Sequence, residues 1–251
     1  MSLTVLVTGA TSGFGQAIAR RFVRDGHRVV ATGRRAERLQ ALGGELGASL
    51  LAFPLDVTDA PSVASLPGTL PEGWREIDVL VNNAGLGLGL SPAHETRLQD
   101  WDTMLATNVA GLMRITHALL PGMVARDRGH VVNISSTAAR YPYPGGNVYG
   151  ATKAFVTQFS LNLKADLVGT GVRVTDLEPG LVGGSEFSQV RFGGDAAKAA
   201  AVYAGTTPLT PEDIAEAVAW VVNLPAHVNI NRLEMMPTCQ APGPLAIKRR
   251  G

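Results

Sequence analysis

Residues Thr8-Gly9-Ala10-Thr11-Ser12-Gly13-Phe14-Gly15 directly follow an apolar, β-branched run that ends at Val7. A helix-like pattern begins where this glycine-rich segment ends. Glycine has no Cβ, so the backbone can turn tightly and approach a bound phosphate closely, and the free N–H groups of a helix N-terminus attract negative charge. This position between a strand and a helix predicts a dinucleotide site, formed by Gly9, Thr11, Ser12, Gly13, Phe14 and Gly15.

Seven short apolar runs alternate with longer helix-like segments along the chain, a pattern typical of a parallel sheet with crossover helices. No linker or internal repeat divides the chain. We therefore predict one α/β domain over residues 1–251, a Rossmann-like doubly wound parallel sheet of about seven strands with helices on both faces. The expected strands are 3–7, 28–31, 50–55, 79–81, 130–134, 172–177 and 230–235, and the expected helices are 15–25, 35–46, 98–125, 148–168 and 211–224.

Two stretches lack such regular patterns. Residues 181–207, between the sixth and seventh strands, contain five glycines, and we expect an irregular, mobile substrate lid there. An ordinary surface insertion is the alternative. The C-terminal tail at 239–251 is also irregular, and we expect it to pack on another subunit.

Composition and charge exclude several classes of protein. The 251 residues carry a formal net charge of +1, too small for the broad basic field of a nucleic-acid-binding protein. No signal-peptide pattern precedes the first strand, and no apolar run approaches the roughly 20 residues of a membrane-spanning helix. The single cysteine, Cys239, allows no intramolecular disulfide, and we expect its thiol to be buried. We expect a cytoplasmic protein that binds a small molecule, and neither nucleic acid nor membrane.

Two arginines follow the second strand, where dinucleotide-binding folds distinguish NAD from NADP. An NAD-specific site places an acidic residue there, on the ribose 2′-hydroxyl, but this chain has Arg34 and Arg35. A guanidinium pairs with a 2′-phosphate in bidentate fashion. The two arginines therefore predict NADP(H) as the cofactor. The alternative is that they are two solvated residues at the start of a helix.

A tyrosine, a lysine and a serine form a candidate catalytic set. Tyr149 and Lys153 are four residues apart in an expected helix, so their side chains lie on one face. A neighbouring ammonium stabilises phenolate, which makes a tyrosine useful as an acid and base near neutral pH. Ser136 follows the strand at 130–134, at the edge where open α/β sheets bind ligands. Its hydroxyl could hold the reacting oxygen beside Tyr149, although an isolated serine here would more often cap a turn.

Together these motifs resemble the short-chain dehydrogenase/reductase family over nearly the whole chain. The resemblance implies a Rossmann-like fold and hydride transfer between a nicotinamide cofactor and a carbinol or carbonyl carbon. The matching elements are Thr8-Gly9-(x)3-Gly13-x-Gly15, Asp56, Asn82-Asn83-Ala84-Gly85, Asn108, Ser136, Tyr149-x-x-x-Lys153 and Pro179-Gly180.

The resemblance also implies a role for each matching residue. Tyr149 would be the general acid/base, and Ser136 would orient the substrate oxygen. Lys153 would lower the tyrosine pKa and bind the nicotinamide ribose, and Asn108 would hold a water of a proton relay ending at Lys153. The other implied cofactor contacts are Asp56 and Val57 at the adenine, and Asn83 by the ribose with Ala84 and Gly85. The segment 179–187, with Pro179, Gly180 and Val182, would flank the nicotinamide.

A closer resemblance is to the NADP-dependent 3-hydroxy acid dehydrogenases. It rests on three stretches, at residues 145–153, 178–184 and 224–231. That group oxidises serine or L-allo-threonine and reduces malonic semialdehyde, so the resemblance implies conversion of a 3-hydroxy acid and NADP to a 3-oxo acid and NADPH. It also implies a homotetramer with contacts through the long helices and the last strand.

A substrate carboxylate needs a cationic or N–H partner. Arg191, in the expected lid, is the first candidate for this partner, and Arg140, beyond Ser136, is the second. The alternative for both is an ordinary solvated arginine. Phe14 is included with the cofactor-binding turn, although an aromatic side chain more often fills a core.

Other functions stay open at this point. The five histidines have no metal-ligand spacing, so we assign no metal. Because a fold alone does not fix a substrate, the enzyme could instead reduce another carbonyl, such as a 3-oxoacyl thioester, a sugar or a ketone. A non-enzymatic NADP-binding module is a third possibility, but it predicts loss of the catalytic residues, and all four are present.

Overall fold

The computed structural model describes residues 2–243, and its centre is one parallel sheet of seven strands. The strand order is β3-β2-β1-β4-β5-β6-β7, so the winding reverses between β1 and β4, where sheets of this kind open a ligand crevice. All seven expected strands are confirmed. They are β1 (Thr4–Val7), β2 (Arg28–Gly33), β3 (Leu50–Pro54), β4 (Val79–Asn82), β5 (Gly129–Ile134), β6 (Val172–Pro179) and β7 (Arg232–Met235).

Nine α-helices in the described part of the chain connect and cover these strands. They are α1 (Gly13–Arg24), α2 (Ala36–Leu46), α3 (Ala60–Thr69), α4 (Leu98–Leu105), α5 (Leu112–Ala125), α6 (Asn147–Asp166), α7 (Phe187–Arg191), α8 (Ala196–Ala201) and α9 (Pro211–Asn223). A π-helical turn, Ala106–Gly111, joins α4 to α5, so the helix expected at 98–125 is continuous but not uniformly α.

Both faces of the sheet are buried, as expected for a doubly wound fold. Side chains alternate along each strand, so neighbouring residues of β1 enter different hydrophobic clusters. Val5 and Val7 pack with Ile18 and Phe22 of α1 in the first cluster. In the second cluster, Leu6 packs with residues of α3 and α5. The two clusters hold the sheet in place from both faces. The loops at the carboxyl ends of its strands are left to form a ligand site.

Three expectations need comment. The expected irregular stretch at 181–207 contains α7 and α8, because two short helical segments flank Gly193 and Gly194. Cys239 is exposed, so the expectation of a buried thiol is wrong. Of the expected tail at 239–251, residues 244–251 lie outside the described residues. None of the helices described is long and apolar enough to span a membrane.

Candidate active site

A cavity of about 700 Å³ opens at the carboxyl ends of the strands. Three of the predicted site residues, Gly15, Asn108 and Arg140, do not line it. A Cβ on Gly15 would lie 2.5 Å from the carbonyl oxygen of Gly9, so this glycine lets α1 pack against the turn. The predicted residues that do line the cavity are Gly9, Thr11, Ser12, Gly13, Phe14, Arg34, Arg35, Asp56, Val57, Asn83, Ala84, Gly85, Ser136, Tyr149, Lys153, Pro179, Gly180, Val182 and Arg191.

The glycine-rich turn leaves a helix N-terminus facing the cavity. Gly9 has a φ of +67°, a conformation that favours glycine. Ser12 is the N-cap of α1, and its side chain makes no capping hydrogen bond, so that the N–H groups of the first turn stay available to an anion. Asn83 holds this turn in place, because its Nδ2 donates to the carbonyl oxygen of Thr8 at 2.8 Å. The arrangement fits a pyrophosphate.

The two arginines after β2 have different surroundings. Arg34 lines the cavity and makes no side-chain hydrogen bond or ion pair with the described residues. Arg35 donates to the hydroxyls of Thr11, at 2.9 Å, and Ser12, at 2.9 Å, and to Glu186 Oε2 at 2.7 Å. Arg35 therefore joins the turn to the 181–207 segment, whereas the guanidinium of Arg34 is free to bind a phosphate.

Tyr149 and Lys153 lie together at the other end of the cavity. Burial raises the pKa of Tyr149 to about 12, while the nearby charge of Arg191 and a hydrogen bond with Ser136 act in the opposite direction. The Lys153 Nζ lies 5.9 Å from the centroid of the Tyr149 ring and donates to the Ile134 carbonyl oxygen at 2.8 Å. Burial lowers the pKa of Lys153 to about 8. Proton release by this phenol therefore depends on nearby positive charge.

Ser136 caps a turn, as one interpretation of the sequence has it, and it also lies beside Tyr149. Its Oγ accepts a hydrogen bond from the N–H of Ala138 at 3.1 Å and so caps the short turn Thr137–Ala139. The same hydroxyl contacts Tyr149. Capping fixes the serine beside the phenol, where a substrate oxygen could accept a hydrogen bond from both.

Asn108 lies on the π-helical turn, just behind the cavity wall. Its Nδ2 donates to the Leu86 carbonyl oxygen at 2.8 Å and to Thr152 Oγ1 at 3.1 Å, and its Oδ1 accepts from the Leu86 N–H at 2.9 Å. A Cβ on Gly85 would lie 3.3 Å from Asn108 Oδ1 and 3.4 Å from Lys153 Nζ. The glycine therefore keeps the space between these two polar atoms open.

Arg191 lies directly over the candidate acid/base. Its guanidinium carbon is 4.8 Å from the centroid of Tyr149 and 4.7 Å from that of Phe187, and its Nη2 donates to the Tyr143 hydroxyl at 3.1 Å. Its Nε is buried and has no hydrogen-bond partner. A Cβ on Gly87 would lie 2.7 Å from Nη2, so only glycine leaves room for this cation. The site thus offers an unused N–H donor to an anion beside Tyr149.

The second candidate for the substrate carboxylate, Arg140, is wrong. It does not line the cavity, and its Nε lies 2.8 Å from Oε2 of the buried Glu178. The sequence shows the arginine but not the carboxylate that neutralises it. Phe14 both lines the cavity and packs against the core, so the two interpretations of this residue are compatible.

Several cavity residues were not predicted from the sequence. Tyr143 contacts Arg191, and Gln240 of the tail accepts a hydrogen bond from the Leu181 N–H at 2.7 Å. The contact between Phe187 and Arg191 was also not predicted, although their four-residue spacing, the same as that of the catalytic candidates, could have identified the pair. Within residues 2–243, no cluster of three or more His, Cys, Asp or Glu side chains could hold a metal.

Comparison with known proteins gives consistent matches. The family model described as short chain dehydrogenase matches residues 3–192. The NADP-dependent 3-hydroxy acid dehydrogenase YdfG of Salmonella typhi is 63% identical over 247 residues, which cover 98% of this chain and 100% of that protein. The serine 3-dehydrogenase of Agrobacterium fabrum is 54% identical over 241 residues, 96% of each chain.

Solved structures match over the same extent. The closed form of a serine dehydrogenase complexed with NADP+ superposes with a TM-score of 0.97 at 60% identity, covering 99% of this chain and 100% of that chain. The serine dehydrogenase of Escherichia coli gives a TM-score of 0.85 at 56% identity and covers 95% and 100%. The motifs, the sheet and these matches agree, and the chain belongs to the short-chain dehydrogenase family of oxidoreductases.

Proposed function

We propose that this oxidoreductase interconverts a 3-hydroxy acid, of the serine, L-allo-threonine or 3-hydroxypropionate type, and its 3-oxo acid with NADP(H). Relatives described as NADP-dependent 3-hydroxy acid dehydrogenase and serine 3-dehydrogenase support this proposal. The observation that carries it is the half-buried Arg191 guanidinium, whose buried Nε has no partner, beside Tyr149. A carboxylate there would satisfy this donor while the 3-hydroxyl reached the phenol.

In this proposal Tyr149 is the general acid/base. In the oxidising direction its phenolate accepts the proton of the substrate hydroxyl as the hydride leaves the carbinol carbon. The nicotinamide, when bound, accepts that hydride. Lys153 and Arg191 supply the positive charge that lets a buried phenol ionise, and Ser136 donates a hydrogen bond to the substrate oxygen.

The proton then leaves Tyr149 through Lys153 towards Asn108. The space beside Gly85 is bordered by Lys153 Nζ and Asn108 Oδ1, each within 3.4 Å of the position that a Cβ would take. A water there could hydrogen-bond to both polar atoms. This arrangement supports the proposed relay.

The cofactor would occupy the cavity from β2 to α6. We place the 2′-phosphate at Arg34, with Arg35 beside it, and the pyrophosphate at the N-terminus of α1. Asp56 and Val57 would contact the adenine. The proposed contacts along the rest of the cofactor are Gly9, Thr11, Ser12, Gly13, Phe14, Asn83, Ala84, Gly85, Tyr149, Lys153, Pro179, Gly180 and Val182. Gly15 would support the pyrophosphate turn from behind, by letting α1 pack against it.

Assembly and location complete the proposal. Exposed apolar side chains lie on the long helices, with Leu98 and Leu105 on α4, Phe155 on α6 and Trp220 on α9. Such surface favours contact with further copies of the chain, and we propose a homotetramer in the cytoplasm. The 181–207 segment would act as the substrate lid, because it carries Arg191.

The direct test of the substrate is Arg191→Ala. We expect the KM for 3-hydroxypropionate to rise by about 20-fold and that for a neutral secondary alcohol by less than about 3-fold, because only the acid loses a charged partner. The kcat should fall for both substrates, since Arg191 also stabilises phenolate. Lys198→Ala, another cation of the same segment outside the cavity, is the control. Equal KM changes for acid and alcohol would contradict the proposed carboxylate site.

A further inference from the structure

The ammonium of Lys153 is buried without an ion-pair partner. The residue is 7% exposed, and Nζ donates to a neutral acceptor, the carbonyl oxygen of Ile134. Within the described chain no carboxylate lies within 4 Å of Nζ. A buried ammonium without counter-charge loses its proton readily, yet the proposed reaction needs it charged.

The carboxylate that acts on this ammonium belongs to Asp176. Thr157 lies one helical turn after Lys153 on the same face of α6, and its Oγ1 donates to Asp176 Oδ2 at 2.6 Å. Ser135 also hydrogen-bonds to this carboxylate. Asp176 is fully buried on β6, its Oδ1 has no partner, and its charge raises the pKa of Lys153 against the effect of burial.

A second acid lies beside Asp176. Glu178, two residues further on the same face of β6, is fully buried and lies 2.8 Å from a guanidinium nitrogen of Arg140 and 2.8 Å from one of Arg232 on β7. Arg140 also lies 3.8 Å from Glu234 of β7. Burial, together with the contact with Glu178, raises the pKa of Asp176 to about 6, although the hydrogen bonds from Thr157 and Ser135 lower it.

The remaining ionisable group nearby is His130 of β5. Its Nε2 contacts Thr175 Oγ1 at 2.9 Å, so it lies on the opposite face of the sheet from Asp176. Burial lowers the pKa of His130 to about 3, which leaves it neutral at physiological pH. On the α6 side of the sheet Asp176 therefore has two cations near it, Lys153 and Arg232, and Arg232 is already paired with Glu178.

We propose that Asp176, held by Thr157, is a positioning residue whose carboxylate keeps the Lys153 ammonium charged and thereby lets Tyr149 give up its proton. This inference rests on the proposed roles of Tyr149 and Lys153. Asp176 would touch neither substrate nor cofactor, and it would act on the reaction only through Lys153.

The energetics favour a functional role over a structural one. Because the folded-state pKa of Asp176 is raised, its contribution to stability is fully present below its ordinary value near 4 and is lost as the pH rises past about 6. At neutral pH this carboxylate therefore destabilises the fold. A residue that costs stability in this way is typical of a functional site.

Asp176→Asn, which keeps the side-chain shape, tests the inference through kinetics. For oxidation at pH 7.5 we expect kcat to fall about 3-fold with the KM values changed by less than about 2-fold. The alkaline limb of the pH profile should move down by about one pH unit, because Lys153 then loses its proton earlier. Below pH 6, where wild-type Asp176 is protonated, variant and wild type should converge.

Thermal unfolding separates this role from a structural one. We expect Asp176→Asn to have a Tm equal to or up to about 4 °C above that of the wild type at pH 7.5. Thr157→Val keeps the Asp176 carboxylate but removes the hydroxyl and its contacts with Asp176, Ser135 and Glu178, and it should shift the pH profile in the same direction by about half as much. It also carries the test if the Asp176 variant does not fold.

Two outcomes would overturn the inference. The first is that the pH profiles of Asp176→Asn and the wild type coincide. The second is that Asp176→Asn lowers the Tm by more than about 5 °C and loses the same fraction of activity at every pH. A wild-type enzyme that oxidises only neutral alcohols would contradict the proposed substrate instead. The pH comparison could then be made on that alcohol, so the two failures are distinguishable.

Discussion

Glu178 and Glu186 each contact two arginines, but in opposite surroundings. The Glu178 side chain is fully buried between Arg140 and Arg232, whereas that of Glu186 is 36% exposed between Arg35 and Arg38. Removal of one partner from a buried ion pair typically costs about 3–5 kcal/mol, whereas an exposed pair contributes about 0–1 kcal/mol and is screened by salt. The buried cluster therefore fixes charges behind Lys153, the proposed catalytic lysine, and the exposed cluster suits the proposed substrate lid at 181–207.

The largest expected effect is the loss of stability in Glu178→Ala. We expect the free energy of unfolding to fall by about 3 kcal/mol, because two guanidinium groups, still about two-thirds buried, lose their shared carboxylate. Urea unfolding followed by circular dichroism measures this. Glu234→Ala, which removes a more exposed partner of Arg140, should cost less than about 1 kcal/mol. Similar losses in the two variants would remove the distinction between the buried and exposed clusters.

A smaller effect is expected on the KM for the cofactor when Arg34 or Arg35, next to the exposed cluster, is replaced. In Arg34→Ala we expect the KM for NADP to rise about 10-fold and that for NAD to stay constant, because the free guanidinium meets only the 2′-phosphate. Arg35→Ala should raise both KM values, since Arg35 also holds Thr11 and Ser12. Steady-state kinetics with both cofactors make the comparison. If Arg34→Ala left the NADP KM unchanged, the 2′-phosphate would have to bind elsewhere.

The smallest effect is expected for Glu186→Gln. NADPH should dissociate about 3-fold faster at low ionic strength, measured by stopped-flow fluorescence, and this difference should vanish in about 0.5 M salt. Hydrogen bonds from Arg35 and Arg38 lower the pKa of Glu186 to about 2, so its contribution is present above pH 4.5 and lost only as the pH falls through about 2. The rate difference should therefore not vary between pH 5 and pH 8.

Glu216→Gln is the matched control for this variant. Glu216 also pairs with two arginines, Arg21 and Arg24, but it lies on α9, away from the cavity. We expect no change in NADPH dissociation. An equal acceleration in both variants would show that loss of a surface charge, rather than release of the 181–207 segment, changes the rate.

Local patterns predicted most of the fold. Each strand is a short apolar run, and the glycine-rich turn directly follows the first of them. Both features can therefore be recognised from the local sequence alone. The helix α3 was missed because it contains Pro67, and Pro61 lies at its start. Pro61 is well accepted in the first turn of a helix, and burial of Val63 and Leu66 against the core outweighs the unfavourable preference of Pro67.

The site was predictable where its residues share one element or one motif. Tyr149 and Lys153 lie one turn apart, and Ser136 follows a recognisable strand. The charge pairs were not predictable, because they join distant parts of the chain. Arg35 and Glu186 are 151 residues apart, and the partner of Arg140 lies on β6, so the sequence shows the charges without their pairing.

The most direct test of the proposed function is the absorbance change at the reduced-nicotinamide band for the wild-type protein. The substrates are L-serine, L-allo-threonine, 3-hydroxypropionate, 3-hydroxyisobutyrate and a neutral secondary alcohol, each with NADP and with NAD. We expect turnover of the 3-hydroxy acids with NADP, reduced at least about 100-fold in Tyr149→Phe. Turnover of the neutral alcohol alone, a preference for NAD, or no turnover of any substrate would contradict the proposal.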